Sequence, residues 1–205
     1  MARTVTPKSS ALESVVSLKV TLRGAKPPIW RRVLVPGAIN LGGLHQVIQA
    51  AMGWHDAHLH AFTVAGRSYG DPHNVDDVAN ENRMTLNGVM KAGVKRFTYD
   101  YDFGDNWEHS VAIEKTQPAI PGQSYPLCVA GKRNCPPEDC GGVWGYAELL
   151  EILADPAHPE REERLEWIDQ EDFDPETFDI DTANAILTAQ AKRRQPPQTN
   201  TSSGP

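Results

Sequence analysis

The stretch that most constrains this chain is Phe97–Val111, which reads FTYDYDFGDNWEHSV. Phe97, Tyr99, Tyr101 and Phe103 recur at every second position, with Thr98, Asp100 and Asp102 between them. A period of two puts the aromatic set on one face of a strand and the polar set on the other. Gly104-Asp105-Asn106 supplies turn chemistry. A second alternating run follows, with Trp107, His109, Val111 and Ile113 against Glu108, Ser110 and Ala112. A three-residue loop pairs Phe103 with Trp107, Tyr101 with His109 and Tyr99 with Val111, and keeps one aromatic face whole. A two-residue loop sets Phe103 against Glu108 and mixes the faces, so the three-residue register is expected. That register sets Asp102 opposite Glu108, with Asp100 one step along. Like charges directly opposed destabilise a hairpin. A basic group, a cation or open water is therefore expected against them.

The hairpin needs partners, and the chain supplies them. Val15–Leu22 alternates, Gly24 to Pro28 breaks it, and Ile29–Val35 reads as the returning strand. A helix follows over Leu41–Met52, capped by Asn40, with Leu44, Val47, Ile48 and Ala51 on one face and Gly53 as a stop. Leu59–Val64 and Arg67–Tyr69 read as strands turning at Ala65-Gly66, and Asp71–Arg83 as polar and irregular. Thr85–Lys91 suits a short helix, and Thr116–Gly142 a long Pro/Gly-rich loop. Tyr146–Leu153, Pro159–Ile168 and Thr182–Lys192 complete the helices, the last capped by Asp181. At 205 residues and 40% hydrophobic, one domain over 15–192 is expected, between a flexible arm (1–14) and a disordered tail (193–205). The fold class expected is α+β: a mixed or antiparallel sheet, a helix on one face in β-grasp-like order, and C-terminal helices.

Composition narrows function. No run has the length of a membrane span and no apolar leader follows Met1, so a cytoplasmic protein is expected. Three cysteines do not make a disulfide framework. A net charge of −7 argues against nucleic-acid binding by bulk charge. The segment 155–181 is densely acidic, and its outer surface favours a basic partner or plain solvation.

Several motifs occur in a fixed order: PPIWRRVLVP (27–36), LHQVIQAAMGW (44–54), HLHAF (58–62), FTYDYDFGDNWEH (97–109), CPPEDCGGVWGY (135–146) and FDPETFD (173–179). Together the chain resembles the plasmid pRiA4b ORF-3-like family over roughly 15–192. The resemblance implies a compact α+β domain of bacteria and archaea, often on mobile elements, with no assigned activity.

Four residue sets carry candidate chemistry. Asp100, Asp102, Asp105 and Glu108 offer carboxylates to a divalent cation; in the other reading Asp105 caps the turn and the other three face water or pair with Arg31, Arg32 or Arg67. Cys128, Cys135, Cys140 and His109 are the ligand types of a three-thiolate, one-imidazole zinc site; the other reading is a braced loop with a buried histidine. Lys132, Arg133, Gly141 and Gly142 flank Pro136–Asp139 and suit an anion-binding turn or a rigid connector. His55, His58 and His60 (HDAHLH) resemble the HxHxDH motif of metallo-β-lactamase-like hydrolases in composition but not in order, so packing and hydrogen bonding are the expected roles. The function expected is a non-enzymatic binding or adaptor domain for a protein or small ligand, possible zinc included. A metal-dependent hydrolase is the alternative and a DNA recombination factor a third. No serine nucleophile supported by arginines favours the last.

Overall fold

The computed structural model describes residues 14–168 and 173–194. The expected arm up to Glu13 and the tail from Gln195 lie outside them. Elements run β1 (Ser14–Leu22), β2 (Trp30–Pro36), α1 (Leu41–Met52), β3 (His60–Val64), β4 (Arg67–Gly70), β5 (Ala79–Asn80), a 3-10 turn (Glu81–Arg83) and α2 (Leu86–Lys91). They continue with β6 (Arg96–Tyr101), β7 (Trp107–Pro118), β8 (Leu127–Lys132), α3 (Gly142–Ala154), α4 (Arg161–Ile168) and α5 (Ile180–Arg194). The strands form one mixed sheet in the order β5-β4-β3-β6-β7-β1-β2-β8, antiparallel except for β4–β5. The fold is α+β.

The hairpin forms the sheet's centre, two residues short of the expected register. Tyr101 pairs with Trp107, Tyr99 with His109, Phe97 with Val111 and Asp100 with Glu108. The cause is Asp102. It takes a left-handed backbone (φ 56), and its Oδ1 accepts the Gly104 N–H at 2.9 Å while its carbonyl accepts the Asn106 N–H. Those bonds end the strand early and give a five-residue loop. A shift of two keeps side-chain parity, so Phe97, Tyr99, Tyr101 and Trp107 stay on one buried face. Phe103 leaves that face and is half-exposed.

α1 covers this face for the reasons its sequence supplies. Asn40 Oδ1 accepts the Gly43 N–H at 2.7 Å, and Gly53 closes the helix with φ 97. Leu41, Leu44, Val47 and Ile48 are buried, each contributing about 1.5–3 kcal/mol by leaving water. α5 packs against α1 and β8. Its cap is Asp179, not Asp181: Asp179 Oδ1 accepts the N–H groups of Asp181 and Thr182. β7 and β8 occupy part of the expected 116–142 loop, and β5 with its 3-10 turn part of the expected irregular 71–83 segment. Short strands between Pro and Gly carry too little alternation to be seen in sequence.

Candidate metal centre

α1 hands the chain to β3 through Trp54–Leu59, and the 3-10 turn approaches from the other side. Between them lies an open cleft of about 750 Å3 whose walls include His45, Asp56, His58, His60 and Glu81. His45 stands on α1, four residues before Gln49; both are polar positions on a buried helix face. Their partner is the phenol of Tyr99, on the central strand.

The hydrogen bonds here fix their own direction. The Asp56 backbone N–H must donate to Gln49 Oε1 (2.9 Å), so Gln49 Nε2 faces Tyr99 and donates to its hydroxyl (2.9 Å). The buried phenol then points its proton at His45 Nδ1, 2.8 Å away. His45 is left with its proton on Nε2, which donates to Asp56 Oδ1 at 2.7 Å. Burial lowers the His45 pKa, and the neighbouring His60 lowers it further, so the ring is neutral. Asp56 is held below the usual carboxylate range, chiefly by the His45 hydrogen bond. Burial keeps Tyr99 protonated, its pKa well above the ordinary value.

His60, the first residue of β3, stacks on His45 with ring centroids 3.5 Å apart and planes within 3°. Its Nε2 donates to Glu81 Oε2 at 2.8 Å. Two imidazole–carboxylate pairs thus lie face to face. One nitrogen or oxygen from each of His45, Asp56 and His60 falls within 4.8 Å of the others, a donor set suited to a transition metal.

A second group sits nearby in sequence. His58 Nε2 lies 3.2 Å from Asp139 Oδ1 and 3.8 Å from Asp102 Oδ2. Its backbone is fixed by Tyr101, whose hydroxyl accepts the Ala57 and His58 N–H groups and donates to Glu138. Glu138 also binds the His55 N–H and ring, and Trp54 Nε1 donates to the Pro136 carbonyl at 3.0 Å. The Pro-Pro-Glu-Asp turn is therefore fastened to the aromatic centre of the sheet.

The sets expected from sequence are arranged differently. Asp100, not Asp102, faces Glu108, and the basic partner of Glu108 is Arg23 rather than Arg31, Arg32 or Arg67. Burial, then Glu108, raises the Asp100 pKa. Asp105 turns away, its Oδ2 accepting the Gly141 N–H at 3.1 Å, so the anion-binding turn is occupied by the protein's own carboxylate. Gly142 has φ +68, and a Cβ there would lie 2.3 Å from the Asp105 carbonyl oxygen. Arg133 pairs with Glu176 at 2.9 Å, and the Lys132 carbonyl accepts from buried Arg31. His109 is fully buried, donating from Nδ1 to the Tyr99 carbonyl at 3.2 Å, with Trp54 edge-on.

Cys128 and Cys135 are buried. Burial raises the thiol pKa of all three cysteines, that of Cys140 to about 12. Among the described residues, the thiols and His109 do not gather as one metal-ligand group. His60 packs on His45 and hydrogen-bonds Glu81, and His58 lies beside Asp102 and Asp139. His45 and Glu81 were not read from the sequence; the trace of His45 is a polar pair, His45 and Gln49, one turn apart on an otherwise apolar helix face.

The family profile described as "Plasmid pRiA4b ORF-3-like protein" matches residues 14–182. The chain belongs to that family. It is 45% identical over 177 residues to the "Uncharacterized protein y4hQ" of Sinorhizobium fredii, covering 85% of this chain and 91% of the relative. It is also similar to the crystal structure of a "Protein of Unknown Function MM3350" from Methanosarcina mazei Go1. The TM-score is 0.77 and the identity 43%, over 83% of this chain and 97% of the other. Among the described residues, no helix is long and apolar enough to cross a membrane.

Proposed function

We propose that this family member is a binding domain whose cleft captures a divalent transition metal through His45, Asp56 and His60. The observation that carries the reading is the convergence of those three donors within 4.8 Å on the wall of the cleft. Tyr99 supports it from behind. A metal-ligating imidazole donates its other N–H to an outer partner, and the Tyr99 oxygen stands 2.8 Å from His45 Nδ1. A metal held at His45 Nε2 would leave the ring proton on Nδ1, where the Tyr99 oxygen would accept it and the phenol O–H would turn from His45. Mixed nitrogen and oxygen donors suit zinc, nickel or cobalt better than calcium or magnesium. The −7 net charge favours a cation and disfavours nucleic acid, including the recombination substrate of the third reading. The plasmid origin of the family's description supports an association with mobile elements.

A second reading, a metal-dependent hydrolase, is favoured by the size of the cleft: about 750 Å3 exceeds what a bare ion needs and suits a small substrate. The test is calorimetry with zinc, nickel and cobalt on tag-free protein, beside His60→Ala and a Cys128→Ser/Cys135→Ser/Cys140→Ser triple variant. The expected result is one site, lost in His60→Ala and kept in the triple variant. Binding that survives His60→Ala, or vanishes with the thiols, overturns the reading.

A further inference from the structure

A second pocket is lined by α3, α4 and residues 173–176. It has a volume of about 330 Å3 and is walled by Leu150, Leu153, Leu165 and Phe173, with Arg133 and Arg161 at its polar edge. Arg133 follows β8 with a left-handed backbone (φ 68) and carries its side chain inward. It is 3% exposed. Nη2 reaches Glu176 at 2.9 Å, while Nε and Nη1 are shut from solvent and, among the described residues, hold no hydrogen bond. A guanidinium stays charged at any pH a protein meets and has five N–H donors. Leaving several of them unmet in an apolar wall is costly. Glu176 is a displaceable partner: its side chain is 63% exposed. Arg161 commits its Nε to the Leu153 carbonyl at 3.2 Å and adds a second positive charge.

We propose that this pocket binds an apolar monocarboxylate: its carboxylate displaces Glu176 and takes the Arg133 guanidinium side-on, while its hydrocarbon part fills the space between Leu150, Leu153, Leu165 and Phe173. A two-pronged guanidinium–carboxylate pair satisfies donors that a single Glu176 contact leaves idle. The volume stands at the lower end for small-molecule pockets and selects a short chain or a single aromatic ring. The site is independent of the metal centre. The carboxylate belongs either to a free acid or to the C-terminus of a short peptide.

The experiment is calorimetry with octanoate, 1-octanol, N-acetyl-Leu-Phe and its C-terminal amide, on the full chain and on Glu176→Gln and Leu165→Trp. Octanoate or the free-acid peptide binds saturably, and whichever is tighter identifies the source. The octanol and amide counterparts bind at least about tenfold more weakly, the effect of one lost charged hydrogen-bond pair. Glu176→Gln tightens binding several-fold by removing the competing carboxylate. Leu165→Trp fills the pocket and abolishes binding at unchanged circular dichroism, with Arg133 still in place. No saturable binding of either acid, equal binding of acid and alcohol, or unchanged binding by Leu165→Trp overturns the proposal.

Discussion

Replacing His109 with phenylalanine should remove one defined part of the mild-acid sensitivity of the fold. The imidazole is wholly buried among Trp54, Tyr99 and the sheet, and burial pulls its pKa from the ordinary 6.5 to about 4, with nearby Arg31 acting in the same direction. The unfolded chain therefore takes up the proton first. Stability from this residue is fully present above about pH 6.5 and is lost as the pH falls toward 4. The gap between 6.5 and about 4 corresponds to about 3.4 kcal/mol at 1.36 kcal/mol per pH unit. At pH 4 the folded imidazole is itself half protonated, which returns about 0.4 kcal/mol and leaves a loss of about 3 kcal/mol. Phenylalanine forfeits the Nδ1–H bond to the Tyr99 carbonyl at every pH, a constant offset. Urea unfolding followed by circular dichroism from pH 4 to 8 measures both proteins. The difference between them should change by about 3 kcal/mol across that range. A difference constant to within about 0.5 kcal/mol would show that His109 is not held neutral by burial.

Three further outcomes follow from other parts of the molecule. Tyr99→Phe deprives both His45 Nδ1 and Gln49 Nε2 of their buried partner, and urea unfolding should show a loss of about 1–3 kcal/mol; an unchanged midpoint would mean that the proton chain is not formed. Gly145→Ala places a Cβ 1.9 Å from the Cys140 carbonyl oxygen, so α3 must shift and thermal unfolding should report a loss of about 3 kcal/mol or more; a wild-type melting temperature would refute that packing. The three thiols, with pKa values raised by burial, should react slowly with a disulfide reagent at pH 8 and quickly once urea unfolds the chain; equal rates in the two states would contradict the burial.

What the sequence reveals is the part that periodicity controls. Phe97, Tyr99, Tyr101 and Trp107 announce a two-sided strand pair, and Asn40 and Gly53 bracket α1, because local backbone chemistry decides both. The register depends on one carboxylate, Asp102, choosing its own loop amides over a place in the ladder. Alternation does not encode that choice. The site was harder to read for a related reason. His45, Asp56, His60 and Glu81 come from a helix, a connector, a strand and a 3-10 turn, and no spacing rule links them. The cysteines sit close together in sequence and invite a zinc reading. In the fold that turn is fastened by Glu138 and Trp54, and Cys128 and Cys135 are buried.

The site turns on which ring nitrogens carry protons and which take a metal. Long-range 1H–15N spectra of the histidine rings, recorded before and after one equivalent of zinc, read both at once. Without metal, His45 should show its proton on Nε2 and His109 on Nδ1. With zinc, the Nε2 signal of His45 and one ring-nitrogen signal of His60 should move to coordinated positions and the His45 proton should appear on Nδ1, while His109 stays unchanged. Zinc that leaves His45 and His60 unmoved, or that shifts His109 instead, contradicts the account.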